Sequence, residues 1–166
     1  MKSGSFLLLF DKSKTKIFLV LRSDFPVWGL TGGGLNECEK PDDGAKRESV
    51  EETGFEVKLI KYIGKYKNNN NYIIFVYEGR KVNGKFKPEF DGCKGRWFSV
   101  NCLPKDMVYL SKTIIKDALK KRKKPFFKKY SLYNFRDFGL FLRYPLKLLK
   151  FFIVKFSKSF FVATKN

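Results

Sequence analysis

Residues 32–57 read GGGLNECEKPDDGAKRESVEETGFEV and hold eight of the chain's sixteen acidic residues. The whole chain carries a formal charge of +19, so this acidic island is a local exception that needs a reason. Arg47, Glu48, Glu51 and Glu52 lie on a helix-compatible run, and spacings of three and four residues bring Glu48 beside Glu51 and Glu52. Like charges at those spacings destabilise a helix. A divalent cation relieves the repulsion, and hard cations such as Mg²⁺ take oxygen ligands. Glycines 32–34, just upstream, let the backbone approach a ligand closely. A glycine-rich loop, a helix and clustered carboxylates together suit a metal-bound phosphate. An ordinary solvated acidic helix would not require those glycines or Glu39 at their offsets.

The spacing from Gly33 through Glu39, Arg47-Glu48, Glu51-Glu52 and Gly54 to Phe55 resembles the Nudix box, G-x5-E-x7-R-E-U-x-E-E-x-G-U with U apolar. Every charged and glycine position matches, which is far more specific than a lone glycine motif. Ser49 stands where an aliphatic residue is usual and is expected to loosen core packing. Cys38 stands where many members have Gly, and Thr31 where many have Pro. The resemblance covers about residues 4–119 and includes the WFSV-x-x-LP segment at residues 97–104. It implies hydrolysis of a phosphoanhydride in a nucleotide-derived substrate, with Mg²⁺ or Mn²⁺ as cofactor. By the same resemblance, the Gly32 carbonyl completes a metal shell supplied by Glu48, Glu51 and Glu52. A catalytically idle Nudix scaffold serving as a membrane- or RNA-binding module is the competing reading. The intact Glu48, Glu51 and Glu52 argue against it.

The remaining chemistry is read from residue types. The guanidinium fork of Arg47 suits pairing with Glu39, bracing the loop against the helix. The chain has no histidine, so general acid–base work falls to carboxylates, lysine, tyrosine or metal-bound water. The base is expected among the box glutamates or in a later loop, where Asp91 is preferred to Glu89. Both could equally be solvated loop acids. Arg22, at a strand end, is a candidate for a substrate phosphate or a plain surface charge. Trp28 could stack on a nucleobase or serve as a core or rim aromatic. Three cysteines without CxxC spacing, and no histidine, argue against a zinc site, do not indicate a disulfide framework, and fit a reducing, cytoplasmic setting. The apolar run at the N-terminus is too short for a signal peptide, and no stretch is long and apolar enough to span a membrane.

Alternation and turn residues predict strands at 6–10, 16–21, 57–66, 72–77 and 96–100. Residues 24–34 read as a loop, and the asparagines at 68–71 as a polar turn. Pro41 suits a helix start, Asp42 and Asp43 its first turn, and Gly54 its C-cap. A second helix is expected over 107–119. The order β-β-α-β-β-β-α gives a Nudix-like α/β/α sandwich with a mixed sheet.

Residues 120–166 differ in kind, with fourteen Lys or Arg against one acid, Asp137, and thirteen of the chain's twenty-nine aromatics. A boundary is expected at Leu119, giving a hydrolase domain at 1–119 and a basic extension at 120–166. Within it, 145–162 reads as a basic amphipathic helix, with Lys147, Lys150, Lys155 and Lys158 on one side. An anionic membrane surface would take its lysines and phenylalanines, placing the protein peripherally at a membrane. RNA would take its charges and rings. Packing on the hydrolase domain, or on a second subunit as a homo-oligomer, would cover its apolar face.

Overall fold

The computed structural model describes residues 2–23, 26–120 and 124–131. Two apolar runs open the chain as β1 (Ser3–Leu9) and β2 (Lys16–Leu21). Asp11 sets the turn between them, accepting hydrogen bonds from Ser13 Oγ at 2.6 Å, Lys16 N at 2.8 Å and Thr15 Oγ1 at 3.0 Å. Those donors, Ser13 first, pull its carboxyl down to about 2.

Residues 24–34, expected as loop, instead contain two short strands, β3 (Trp28–Gly29) and β4 (Thr31–Gly34). Glycine disfavours strands intrinsically. Here the ladder is supplied by tertiary pairing, with Gly4 opposite Gly34, Ser5 opposite Gly33 and Phe6 opposite Gly32. The helix α1 (Pro41–Thr53) starts and stops as its sequence requires. Pro41 occupies the first turn, and Gly54 caps the end at φ 69, donating its N–H to Val50 O.

The long strands β5 (Glu56–Lys67) and β6 (Ile73–Asn83) follow, then β7 (Lys94–Ser99), α2 (Tyr109–Leu119) and β8 (Phe126–Lys129). A five-stranded mixed sheet runs β4-β1-β6-β5-β8, and a three-stranded sheet runs β3-β2-β7. The β1–β6 and β5–β8 pairs are parallel and the β1–β4 and β5–β6 pairs antiparallel. The expected mixed α/β sandwich is therefore observed.

Strand alternation divides the core. Leu8, Ile17, Leu19, Ile74, Val76, Ile114 and Ile115 join both sheets to α2, while Leu7, Leu9, Phe18, Val20 and Phe55 form a second cluster. The buried face of α1 is small, with Gly44, Ala45, Ser49 and Thr53, so its backbone lies close to the sheet. Ser5 Oγ ties β1 to its first turn by donating to Pro41 O at 2.6 Å. Ser49 does not simply leave a gap. Its buried hydroxyl donates to Phe55 O at 3.0 Å, a hydrogen bond no aliphatic residue could make.

The expected boundary at Leu119 does not bound the sheet. Lys65 pairs with Phe127 and Tyr66 with Lys128, so β8 is an edge strand of the five-stranded sheet. Asp117 fastens it. This residue, 3% exposed, receives hydrogen bonds from Tyr66 Oη at 2.8 Å, Lys128 Nζ at 2.5 Å and Lys120 Nζ at 3.2 Å. Burial opposes its charge, but these donors outweigh burial and hold its carboxyl below the ordinary value. The amphipathic helix expected at 145–162 lies outside the described residues. Among the described residues, no helix is long and apolar enough to cross a membrane.

Candidate active site

The β1–β4 pairing places the glycine strand against α1, and the box residues meet there. Gly33 fits because it has no side chain: a Cβ would stand 2.6 Å from Glu48 Oε1. Gly32, at φ 141, lies too close to Ser5 O and Phe6 for any side chain. Its N–H donates to Glu52 Oε2 at 3.0 Å. Close approach of backbone thus requires glycine at position 32, while Gly33 gives the Glu48 carboxylate its space.

Arg47 organises the carboxylates. Its Nε donates to Glu39 Oε1 at 2.8 Å and its Nη2 to Glu39 Oε2 at 3.0 Å, a forked pair. Nη2 also donates to Gly34 O at 2.9 Å, while Nη1 reaches Glu48 Oε1 at 2.9 Å and Glu51 Oε2 at 2.7 Å. Glu39 Oε2 accepts a further bond from Asn36 N at 2.9 Å. Arg47 and then Asn36 hold the Glu39 carboxyl below its ordinary value, and Glu39 above all raises the Arg47 guanidinium. The expected brace is therefore in place, and it reaches more acceptors than the single partner foreseen.

Glu48 and Glu52 are pushed the other way. Burial is the main cause for Glu48, with the charges of Glu51 and Glu89 adding to it against Arg47. Burial, with the charges of Glu48 and Glu89, pushes Glu52 up to about 7 despite the Gly32 N–H and the positive charge of Arg22. Of the two loop acids, Glu89 is the one whose charge acts on both box carboxylates. Both are exposed, and Asp91 lies in the turn just beyond Glu89. Arg22 is exposed at the end of β2, with its charge felt at Glu52. Trp28 is half-buried. It packs edge-to-face on Phe98, with ring centroids 4.6 Å apart, against the core cluster around Leu30 and Met107.

Among the described residues, no three acidic or cysteine side chains are gathered tightly enough to cage a metal ion. Arg47 and the Gly32 N–H occupy carboxylate oxygens that a cation would take. The donor chemistry nevertheless fits a hard divalent cation: the candidate ligands are all oxygen, and like charges crowd Glu52. The side-chain-free space at Gly33 is where the Glu48 carboxylate enters.

The NUDIX domain model matches residues 2–118. The chain belongs to the Nudix family. It is 32% identical over 119 residues to a Bacillus subtilis (strain 168) protein named "Putative 8-oxo-dGTP diphosphatase", covering 69% of this chain and 77% of that one. A Bartonella clarridgeiae RNA pyrophosphohydrolase is 38% identical over 80 residues, which span 44% of this chain and 39% of the relative. The fold matches a NUDIX hydrolase from Nitrosomonas europaea with a TM-score of 0.68 at 17% identity, covering 78% of each chain. It also matches an ADP-ribose pyrophosphatase from Streptococcus suis 89-1591 with a TM-score of 0.63 at 23% identity, covering 78% of this chain and 98% of that one. The protein is a Nudix hydrolase, and the box carried by β4 and α1 is its signature.

Two features of the site escaped the sequence. The Gly34 carbonyl and the Asn36 N–H are backbone groups, so no side-chain identity announces them. The weight of Glu89 over Asp91 depends on how the loop after β6 folds back, and spacing from Trp97 does not encode that.

Proposed function

We propose that this Nudix hydrolase cleaves a phosphoanhydride bond in a nucleoside diphosphate derivative and uses a divalent cation, Mg²⁺ or Mn²⁺. The observation that supports it is the meeting of two carboxylates with the glycine strand, Glu48 in the space beside Gly33 and Glu52 on the Gly32 N–H. Glu89 adds to their charge. Glu48, Glu51, Glu52 and the Gly32 carbonyl would hold the ion. When bound, it neutralises phosphate charge and lowers the pKa of water. The chain's own groups do the rest. Arg47 fixes Glu39, Glu48, Glu51 and the Gly34 carbonyl in one arrangement, so the carboxylates need little reorganisation during reaction. Arg22, whose charge acts on Glu52, is our candidate to meet a substrate phosphate. Glu89 takes the role of the loop acid that accepts a proton from the attacking water, in preference to Asp91.

The candidate substrates are those named for the relatives, 8-oxo-dGTP, RNA and ADP-ribose, together with triphosphorylated RNA ends, dinucleoside polyphosphates and nucleotide sugars. A panel of these with Mg²⁺ or Mn²⁺, scored by chromatographic separation of the nucleotide products, tests the reading. Turnover of one class, abolished by EDTA, is expected. Failure to turn over any of them with either metal would overturn it.

A further inference from the structure

The asparagine run at 68–71, a bland turn in the sequence, is a built feature in the structure. Asn68 is 5% exposed. Its Oδ1 accepts the N–H groups of Asn70 at 2.9 Å and Tyr72 at 2.8 Å, and Asn68 N donates to Tyr72 O at 3.0 Å. Asn71 turns through φ 61, a conformation asparagine tolerates. Tyr72 is therefore held from both of its backbone groups. The Tyr130 hydroxyl lies by the Asn68 side chain, which acts on its phenol. Tyr130 follows β8, where its N–H donates to Lys67 O at 3.0 Å and its ring meets Tyr66 edge-on at 6.4 Å.

This scaffold aims Tyr72 at the glycine edge of the sheet. A Cβ on Gly4 would stand 2.5 Å from Tyr72 Oη and 2.6 Å from Gly33 O. The phenol thus occupies the space of a missing side chain, beside the same Gly33 that borders Glu48 on its other side. Its hydroxyl donates no hydrogen bond to another described residue, although the side chain is half-buried. Burial, and then the charge of Glu48, raise the Tyr72 phenol above its ordinary value, so it remains a proton donor near neutral pH. A neutral, oriented donor that is solvent-accessible beside the glycine edge is suited to an anionic ligand.

Resting on the phosphoanhydride reading above, we propose that Tyr72 is a substrate-contacting residue: its hydroxyl donates a hydrogen bond to an oxygen of the diphosphate group bound along the Gly4–Gly33 edge. Asn68 is a positioning residue that fixes the Tyr72 backbone, and Tyr130 lies beside it. The contact links the segment after β8 to the active site, because Tyr130 belongs to residues that the sequence assigns to the extension.

Methylenediphosphonate, a hydrolysis-resistant diphosphate common in shape to every candidate substrate, is the probe. It is titrated calorimetrically in Mg²⁺ into the full-length protein, Tyr72→Phe and Glu52→Gln. The Phe variant keeps the ring and removes only the hydroxyl, so its melting temperature should match wild type. A hydrogen bond to a charged phosphate corresponds to a Kd about tenfold or more weaker in Tyr72→Phe. In steady-state hydrolysis the same change should raise KM and leave kcat nearly unaltered, a split that general loosening would not produce. Equal affinity of Tyr72→Phe and wild type, with Glu52→Gln weakened, overturns the Tyr72 contact and leaves the phosphoanhydride reading standing. Failure of wild type itself to bind the probe removes both.

Discussion

Arg47 holds Glu39 through a two-pronged pair, Nε to Oε1 at 2.8 Å and Nη2 to Oε2 at 3.0 Å, across the turn between β4 and α1. The same side chain reaches Glu48, Glu51 and the Gly34 carbonyl. One guanidinium thus sets the spacing between the glycine strand and the carboxylate helix. A lysine offers a single charged point and cannot copy this fork. Arg47→Lys is expected to lower stability by about 1–3 kcal/mol in denaturant titration, and kcat by a larger factor than KM rises. Wild-type stability and kinetics in that variant would show that the brace is incidental.

Glu52 carries a pH signature. Its carboxyl titrates at about 7 in the folded chain, above its ordinary 4.5, so the folded state binds that proton more tightly than the unfolded state. Stability of the metal-free protein should therefore be greatest below the ordinary value and fall as pH rises toward 7, by roughly 3 kcal/mol from this group. Glu52→Gln should flatten that part of the curve and, with metal present, lower turnover by orders of magnitude while the fold persists. Mg²⁺ should raise the melting temperature of wild type more at pH 8 than at pH 6, because the proton then competes less for the carboxylate. Full activity in excess EDTA would contradict the assignment of these ligands.

Glu89 and Asp91 separate by mutation. Glu89→Gln should reduce kcat by one to several orders of magnitude, in line with loss of a general base, which contributes about 10²–10⁴-fold. Asp91→Asn should stay near wild type, because its charge does not register at Glu48 or Glu52 as that of Glu89 does. The reverse ranking would return the role to Asp91.

The site was legible in the sequence because its chemistry lies in side chains at fixed offsets along one loop and helix. Gly33, Glu39, Arg47 and the three glutamates are all local. The parts that were not legible depend on chain segments far apart. The strand character of Thr31–Gly34 comes from pairing with β1 and runs against glycine's own preference. Strand β8 is marked neither by hydrophobic alternation nor by flanking turns. It forms because Phe126 enters the core and Lys128 meets the buried Asp117, a partner on another element. Trp28 offered an aromatic suited to either stacking or packing, and only the fold places it against Phe98. Ser49 departs from the aliphatic pattern without weakening the argument for it, because a hydrogen bond to Phe55 replaces packing.

The Asp117–Lys128 contact fixes where the chain can be shortened. Truncation after residue 131 keeps β8 and should leave a folded, active hydrolase. Truncation after residue 124 removes Lys128 and leaves Asp117 buried with only the more exposed Lys120 and the Tyr66 hydroxyl. Removing one partner of a buried charge pair costs about 3 kcal/mol or more. The shorter form should therefore melt lower or fail to fold. The carboxyl of Asp117 lies below its ordinary value when folded, so its contribution is present above that value and is lost as pH falls through the lowered one. Lys128→Met should shift acid unfolding to higher pH. If the amphipathic reading of 145–162 holds, the form ending at 131 should also lose co-sedimentation with anionic vesicles, and salt should weaken binding of the full chain without abolishing it.

Cys38 occupies the left-handed region at φ 60, in the turn that carries Glu39 into the grip of Arg47. A side chain with a Cβ pays about 1–2 kcal/mol for that conformation. Glycine adopts it without strain but loses more conformational entropy on folding, which offsets part of the gain. Cys38→Gly should therefore stabilise the protein by about 0.5–1 kcal/mol, since the thiol is exposed and unbridged and little packing is lost. Because the turn positions Glu39 and not a reacting group, kcat should stay close to wild type. A denaturant midpoint that falls in Cys38→Gly would show that the cysteine side chain makes a favourable contribution in this turn that outweighs the relief of backbone strain.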